Sequence, residues 1–397
     1  ALLFRLVRAA GLRTPAAALA TALFGLHPAA AEPVSWLTGR KDLLALFFAL
    51  LTVSLALPGS SSSRGRVLRR VLRGLTFVLA ILSKPVAVAL VPTLVLLAAA
   101  KTADLPWHKR LLRAARANLP EIVITIALLP IAYASHLAFG GLREGEEVAS
   151  SLRMAWYGAG AHLAIATGLE PPCVRHLLKT VPPPFTARFD LLPALAVVAF
   201  LGILRLRDRA LRSLALAGMA AALFAYLPSS GLIPMRRFIA DSYIYPVLPG
   251  LALVAGALFE SLLGVLHSRF ALLRRALVPA VAIGLGLLSI PSSGRFRTTR
   301  DLWADAMELY PDLWQPCRNW AVAMQEIGGP EKTLQATDRC IARFGEANFE
   351  KNRAVALFEL GRSDEAAEWM RKSLKREPSD RNAPPALLEL ARRSAAP

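Results

Sequence analysis

The chain has 397 residues, of which 55% are hydrophobic and only 19% charged, and its mean hydropathy is +0.44. That balance excludes a disordered chain and argues against a soluble globular enzyme of this size. The net charge of +19 does not point to nucleic acid: residues 292–397 hold 17 basic and 16 acidic groups, so nearly all of the excess lies among the apolar runs of residues 1–291, where lipid headgroups and topology account for it.

Apolar runs long enough to cross a bilayer as helices recur nine times, at 14–30, 41–57, 67–83, 85–100, 119–139, 190–206, 210–228, 243–263 and 276–291. A weaker run, 152–168, is broken by Gly158, Gly160 and His162 and is expected to lie flat at the outer surface. The segments after every second span hold 20 Lys/Arg and the alternate segments 10, which places the first set in the cytoplasm. Arg69, Arg70 and Arg73 open the third span and are expected to snorkel to an interface. The outer segments are then 31–40, the corner at Ser83-Lys84-Pro85, 140–189, 229–242 and the tail. They carry most of the unusual chemistry: His27, Glu32, Trp36, Arg40, Lys41, Lys84, Arg236, Arg237, Asp241 and Tyr243.

The tail repeats itself. At an offset of 33, residues 318–345 and 351–378 match at Asn319/Asn352, Ala321/Ala354, Val322/Val355, Glu326/Glu359 and Gly328/Gly361. Each unit reads as helix, glycine turn, helix, the pattern of a tetratricopeptide repeat. Segment 301–311 reads as the second helix of an earlier half-unit. Cys173, Cys317 and Cys340 are odd in number and lack metal-ligand spacing, so neither a disulfide framework nor a zinc site is readable. Cys340 reads as a small packed residue. His162 and His176 have no partner at ligand spacing and read as background.

The expected fold is therefore all-α, a polytopic membrane helix bundle over 1–293 followed by a short tetratricopeptide-repeat α-solenoid over 294–397. The expected partners are the lipid bilayer and a peptide or protein held by the repeats, with no nucleic acid.

Four strings carry a resemblance. HPAAAEPVSWLTGRKDLLALFF (27–48), ILSKPVAVALVPTLVLL (81–97), IADSYIYPVLPGLAL (239–253) and DLWADAMELYPD (301–312) occur in the order found in the transmembrane and tetratricopeptide-repeat protein family, and the chain resembles that family over nearly its whole length. The family belongs to the C-fold integral-membrane glycosyltransferases, related to the protein O-mannosyltransferases. The resemblance implies transfer of a sugar, mannose being one candidate, from a polyprenyl-phosphate carrier to a protein or envelope-glycan acceptor. It implies a bacterial inner membrane or endoplasmic reticulum location with extracytoplasmic repeats. Position 242 is Ser where the family pattern has Arg. The acidic pair that C-fold enzymes carry after their first membrane helix has no match, so the catalytic base is expected upstream of Ala1, with Glu32 and Asp241 as candidates within the chain.

Glycosyl transfer from a phosphate-linked donor needs a carboxylate to take the acceptor's proton, cations for the leaving phosphate and an apolar groove for the tail. The substrate-binding candidates are His27, Arg40, Lys84, Arg236 and Arg237. His27 and Glu32 are expected to act as a pair, and Asp241 to meet Arg236 or Arg237. Lys84 stands out because a charge between two apolar spans is costly unless it serves a function. No cofactor or resident metal is expected, and a need for a divalent ion is left open. The alternatives are an inactive membrane scaffold that binds a partner through its repeats, and a flippase for a lipid-linked substrate.

Overall fold

The computed structural model describes residues 1–57, 62–100, 105–138, 148–173, 176, 183–232, 237–265, 271–377 and 383–393. It is all-helical among these residues and separates into two compact units, Ala1–Gly294 and Arg295–Pro397. The first contains α1 (Leu2–Ala9), α2 (Thr14–Gly25), α3 (Ala31–Ser35), α4 (Arg40–Ala56), α5 (Ser63–Ser83), α6 (Leu90–Ala100), α7 (Trp107–Ala117), α8 (Leu119–Ala138), α9 (Val148–Ala166), α10 (Ala187–Leu204), α11 (Arg209–Tyr226), α12 (Asp241–Ile244), α13 (Leu248–Val265) and α14 (Ala271–Gly294). The second contains α15 (Thr299–Leu309), α16 (Trp314–Ala323), α17 (Gln325–Phe344), α18 (Glu350–Glu359), α19 (Ser363–Arg376) and α20 (Pro385–Arg393).

Among the described residues, Ala187–Leu204, Arg209–Ser229 and Ala276–Gly294 are long and apolar enough to cross a membrane. A fourth candidate is the pair Trp107–Ala117 and Leu119–Ile131, bent by 68°. Several other expected spans are shorter than their apolar runs, and proline explains where they stop. The first helix ends at Gly25, before Pro28. The run at 85–100 opens with a 3-10 turn from Pro85 to Ala89. The run at 243–263 is split by a turn at Tyr245–Val247 that contains Pro246.

Small residues let these helices approach. A Cβ on Gly218 of α11 would stand 2.7 Å from the Gly250 carbonyl oxygen of α13, and one on Gly250 would stand 2.6 Å from the Gly218 oxygen, so the two backbones are in direct contact. Ala16, Ala17 and Ala20 of α2 are fully buried, with Ala16 and Ala17 in a cluster with Ala257 and Phe259. Helices α4 and α5 form a hairpin. Thr52 and Thr76 share a buried hydrogen bond of 2.9 Å across it, and Arg69 donates to the carbonyls of Ser54, Leu55 and Leu57 at 3.1, 3.2 and 2.8 Å. Arg73 grips Glu121 of α8. Arg69 and Arg73 are thus bound to protein groups rather than snorkelling, because the open carbonyls at the end of α4 and the buried Glu121 carboxylate both need donors.

In the second unit, α17 breaks at Gly328 and Gly329, the latter at φ 63°, and its long arm restarts at Pro330, which suits a first helical turn. Gly361, at φ 76°, turns the chain between α18 and α19. Cys317, near the start of α16, is joined by a disulfide to Cys340, near the end of α17, so these two helices run antiparallel. No disulfide framework is readable from the spacing, so this bond is a finding of the structure, and Cys340 is packed as expected, in a cluster with Ala321 and Phe349. The two sulfurs meet because the helix pair brings positions 23 apart in sequence to a Cα separation of 5.9 Å, a proximity that local spacing does not reveal. Helix α20 packs Leu387, Leu388 and Ala391 into the cluster of Leu357, Ala366 and Met370 and closes the end of the stack.

Candidate functional site

One group of buried polar residues of the first unit gathers around the short helices α3 and α12. Glu32 is buried on α3, and Arg237 Nη1 donates to its Oε1 at 2.7 Å. The Ser242 amide, in the first turn of α12, donates to Glu32 Oε2 at 3.0 Å. One carboxylate therefore anchors both a guanidinium and a helix start. Burial pushes the Glu32 carboxyl above its ordinary range, against the pull of Arg237. The same carboxylate helps to hold Arg237 charged against the opposing effect of burial.

Asp241, fully buried beside Ser242, accepts a hydrogen bond from His176 Nε2 at 2.8 Å. Its other oxygen, Oδ2, has no hydrogen-bond partner among the described residues. Tyr243 donates its hydroxyl proton to the Arg237 carbonyl at 2.9 Å, and its ring lies 5.5 Å from Lys84 Nζ. The His162 ring sits 6.1 Å from the Tyr243 ring and 5.3 Å from the Tyr226 ring. His162 Nδ1 donates to the Gly158 carbonyl, its Nε2 lacks a partner among the described residues, and burial pushes the imidazole down to about 4. That leaves it neutral near pH 7.

Lys84 forms an ion pair with Asp42, which is buried in the first turn of α4. The pair sits at one end of an apolar cavity of about 210 Å³. Asp42, Ala45, Leu46, Ala49, Leu50, Val53 and Leu57 line it, which is one face of α4 at helical spacing and spans about 22 Å at 1.5 Å per residue. Ala217, Ala221 and Ala225 of α11 face the same space, and their small size leaves it open. Among the described residues, Lys84 and Asp42 are its only charged lining residues.

No protein-family model, curated protein or solved structure matches the chain. The chemistry must therefore be read from the residues alone.

Of the residues singled out in the sequence, Glu32, Lys84, Arg237 and Asp241 fall into one connected set of contacts. His27 borders it: its Nε2 donates to the Ala166 carbonyl at 2.9 Å and its Nδ1 accepts from the Ala29 amide at 3.1 Å. His27 and Glu32 are not a pair, because Pro28 starts a 3-10 turn that His27 caps. Asp241 pairs with His176 and not with Arg237, whose partner is Glu32. Arg40 and Lys41 are exposed and stand apart from the set. Arg236 lies outside the described residues. His176, Asp42 and His162 belong to the site and were not expected to. No group of three or more His, Cys, Asp or Glu that could hold a metal ion occurs among the described residues.

Such an arrangement can bind an amphiphile. The cavity takes an apolar tail, Lys84 supplies a positive charge at its polar end, and the Lys84–Tyr243 contact links that end to the cluster that holds the Asp241–His176 pair.

Proposed function

We propose that the protein is an integral-membrane glycosyltransferase of the C-fold type that uses a polyprenyl-phosphate-linked sugar on the extracytoplasmic face. The observation that carries this reading is the α4 cavity with the Lys84–Asp42 pair at its end. A prenyl tail lies along α4, its phosphate displaces Asp42 from Lys84, and Arg237 stands one tyrosine away. Lys84 then stabilises the leaving phosphate as a point charge. Asp241, oriented by His176, is the candidate for accepting the acceptor's proton through its unpartnered oxygen. The acceptor is a protein or an envelope glycan, presented by tetratricopeptide repeats in the second unit, whose paired helices and glycine turns suit a peptide groove. The chain is multi-pass with its repeats outside the cytoplasm. The Cys317–Cys340 disulfide supports that location, since such bonds persist in oxidising compartments.

The test is sugar transfer from a lipid-linked donor by the full-length protein in proteoliposomes. Lys84→Ala lowers the rate by roughly a hundredfold, the scale of losing one group that stabilises developing charge, whereas Arg40→Ala leaves it within about a factor of two of wild type. Equal rates for both variants remove the cavity from the mechanism.

One observation favours a second reading. Lys84 and Arg237 each already have a carboxylate partner, which suits a scaffold whose repeats bind a protein and whose polar cluster only ties helices together. In that case no donor lipid protects Lys84 from modification by an amine reagent.

A further inference from the structure

A second cavity, of about 260 Å³, lies where α4 and α6 end. Val53, Leu57, Leu94 and Leu97 supply its apolar wall, and Arg73 and Arg113 are its charged lining. It shares Val53, Leu57 and Leu97 with the α4 cavity, at the end away from Lys84.

The two arginines differ in how far they are engaged. Arg73 holds Glu121 through Nε and Nη2 at 2.7 and 2.8 Å, and Nη2 also reaches the Ala117 carbonyl at 3.2 Å. Its Nη1 donors have no hydrogen-bond partner among the described residues. Arg113 is exposed and makes neither hydrogen bond nor ion pair among the described residues. The surrounding charge is one-sided, with nine Lys/Arg and no Asp/Glu in 62–73 and 107–118 together.

Helix α7 adds an independent observation. Its Lys109, Arg110, Arg113 and Arg116 fall on one arc and Trp107, Leu111 and Leu112 on the opposite one. Trp107 is 73% exposed and Leu112 53%. The helix turns 68° from α8. A short basic amphipathic helix set across a membrane-length one has the form of a segment that lies in the bilayer interface.

We propose that this cavity binds the headgroup phosphate of an anionic phospholipid. Arg113 and Arg73 Nη1 donate to the phosphate oxygens, the Leu57, Leu94 and Leu97 wall takes the first carbons of a chain, and the apolar arc of α7 lies in the same leaflet. Arginine suits this because its planar fork holds phosphate oxygens in pairs. A zwitterionic headgroup fits less well, because it brings its own cation to a cavity whose charged lining is Arg73 and Arg113. The site lies at the opposite end of α4 from Lys84, and binding here requires no transferase activity.

The experiment is native mass spectrometry of the full-length protein in mild detergent, mixed with phosphatidylglycerol, with phosphatidylcholine, or with inorganic phosphate. Wild type retains one phosphatidylglycerol and releases phosphatidylcholine. Arg113→Gln lowers phosphatidylglycerol occupancy roughly five- to tenfold, the loss of one basic contact to an anionic lipid. Arg116→Gln, on the same helix but not lining the cavity, leaves occupancy unchanged. Arg73 is kept, since removing it strands Glu121. Equal losses in the two variants overturn the proposal, as does full retention in Arg113→Gln. Displacement of the lipid by millimolar phosphate reassigns the site to free phosphate and overturns the lipid. If Arg113→Gln does not give monodisperse protein, the wild-type preference between the two lipids decides alone, and no preference overturns the assignment.

Discussion

In the Ala1–Gly294 unit the closest helix contacts are made by small residues, Gly218 against Gly250 and the alanines of α2, while Ile283, Leu287 and Leu288 face outward, each more than 60% exposed. In the Arg295–Pro397 unit Phe349, Leu357, Met370 and Leu387 are inside, and Arg362 and Glu365 meet at the surface. Both units also bury the other kind of residue, Phe77 and Leu94 in the first and Ala321 and Ala354 in the second, so the contrast lies in the outward apolar faces, which are expected where a helix faces lipid. In water, burying a large side chain is the driving force. In lipid that force is absent between helices, and close backbone approach takes its place. Two ion pairs mark the extremes. Glu32–Arg237 links distant segments through a buried carboxylate, and Arg362–Glu365 is an exposed pair within one helical turn.

The comparison breaks most visibly at the buried pair. Arg237→Ala leaves the Glu32 carboxyl buried without its cation, and stability of the first unit falls by about 3–5 kcal/mol, read as thermal unfolding in detergent. The sign of its pH dependence follows from Glu32, whose folded pKa burial already raises. The folded state then keeps a proton that the unfolded state has released, so stability decreases as pH rises above the ordinary carboxylate range. Arg237→Ala is accordingly less damaged at pH 5 than at pH 8, and the opposite trend removes Glu32 as the cause.

Next in size is the disulfide. Reduction, or Cys317→Ser, destabilises the second unit by about 3 kcal/mol, the chain-entropy value for a loop of this length. Limited proteolysis reads it as faster cleavage within 299–377 with the first unit unchanged. Gly250→Leu forces α11 and α13 apart and lowers stability of the first unit by about 1–3 kcal/mol, seen as loss of monodisperse protein, with the second unit unaffected. At the small end, Arg362→Ala changes the unfolding temperature of the second unit by no measurable amount, since an exposed pair within one turn is screened by solvent.

The helical class and the position of the junction near residue 294 were legible because apolar runs and a 33-residue repeat are local patterns. The site was legible in part. Lys84, Glu32, Arg237 and Asp241 stood out as charges next to apolar spans, where each needs a partner. Which partner each takes was not legible. Arg40, Lys41 and Asp42 are consecutive, and successive residues of a helix point about 100° apart. The rest of α4 is apolar all round, so nothing in its pattern shows that Asp42 faces the cavity and the two cations face away. His176 was passed over because its partner, Asp241, is 65 residues further on. Cys317 and Cys340 gave no signal for the same reason: contact between remote positions is a property of packing.

The Arg69 bonds to the carbonyls at the end of α4 and the Thr52–Thr76 bond join residues no more than 24 apart. These bonds need no later chain, whereas Arg73 of the same helix finds its partner only when Glu121 of α8 has been made. During synthesis α4 and α5 can close on each other once α5 has emerged, with Arg69, Thr52 and Thr76 already satisfied. Arg69 therefore acts early, giving one charge of an arginine-rich helix a protein partner before Arg73 meets Glu121.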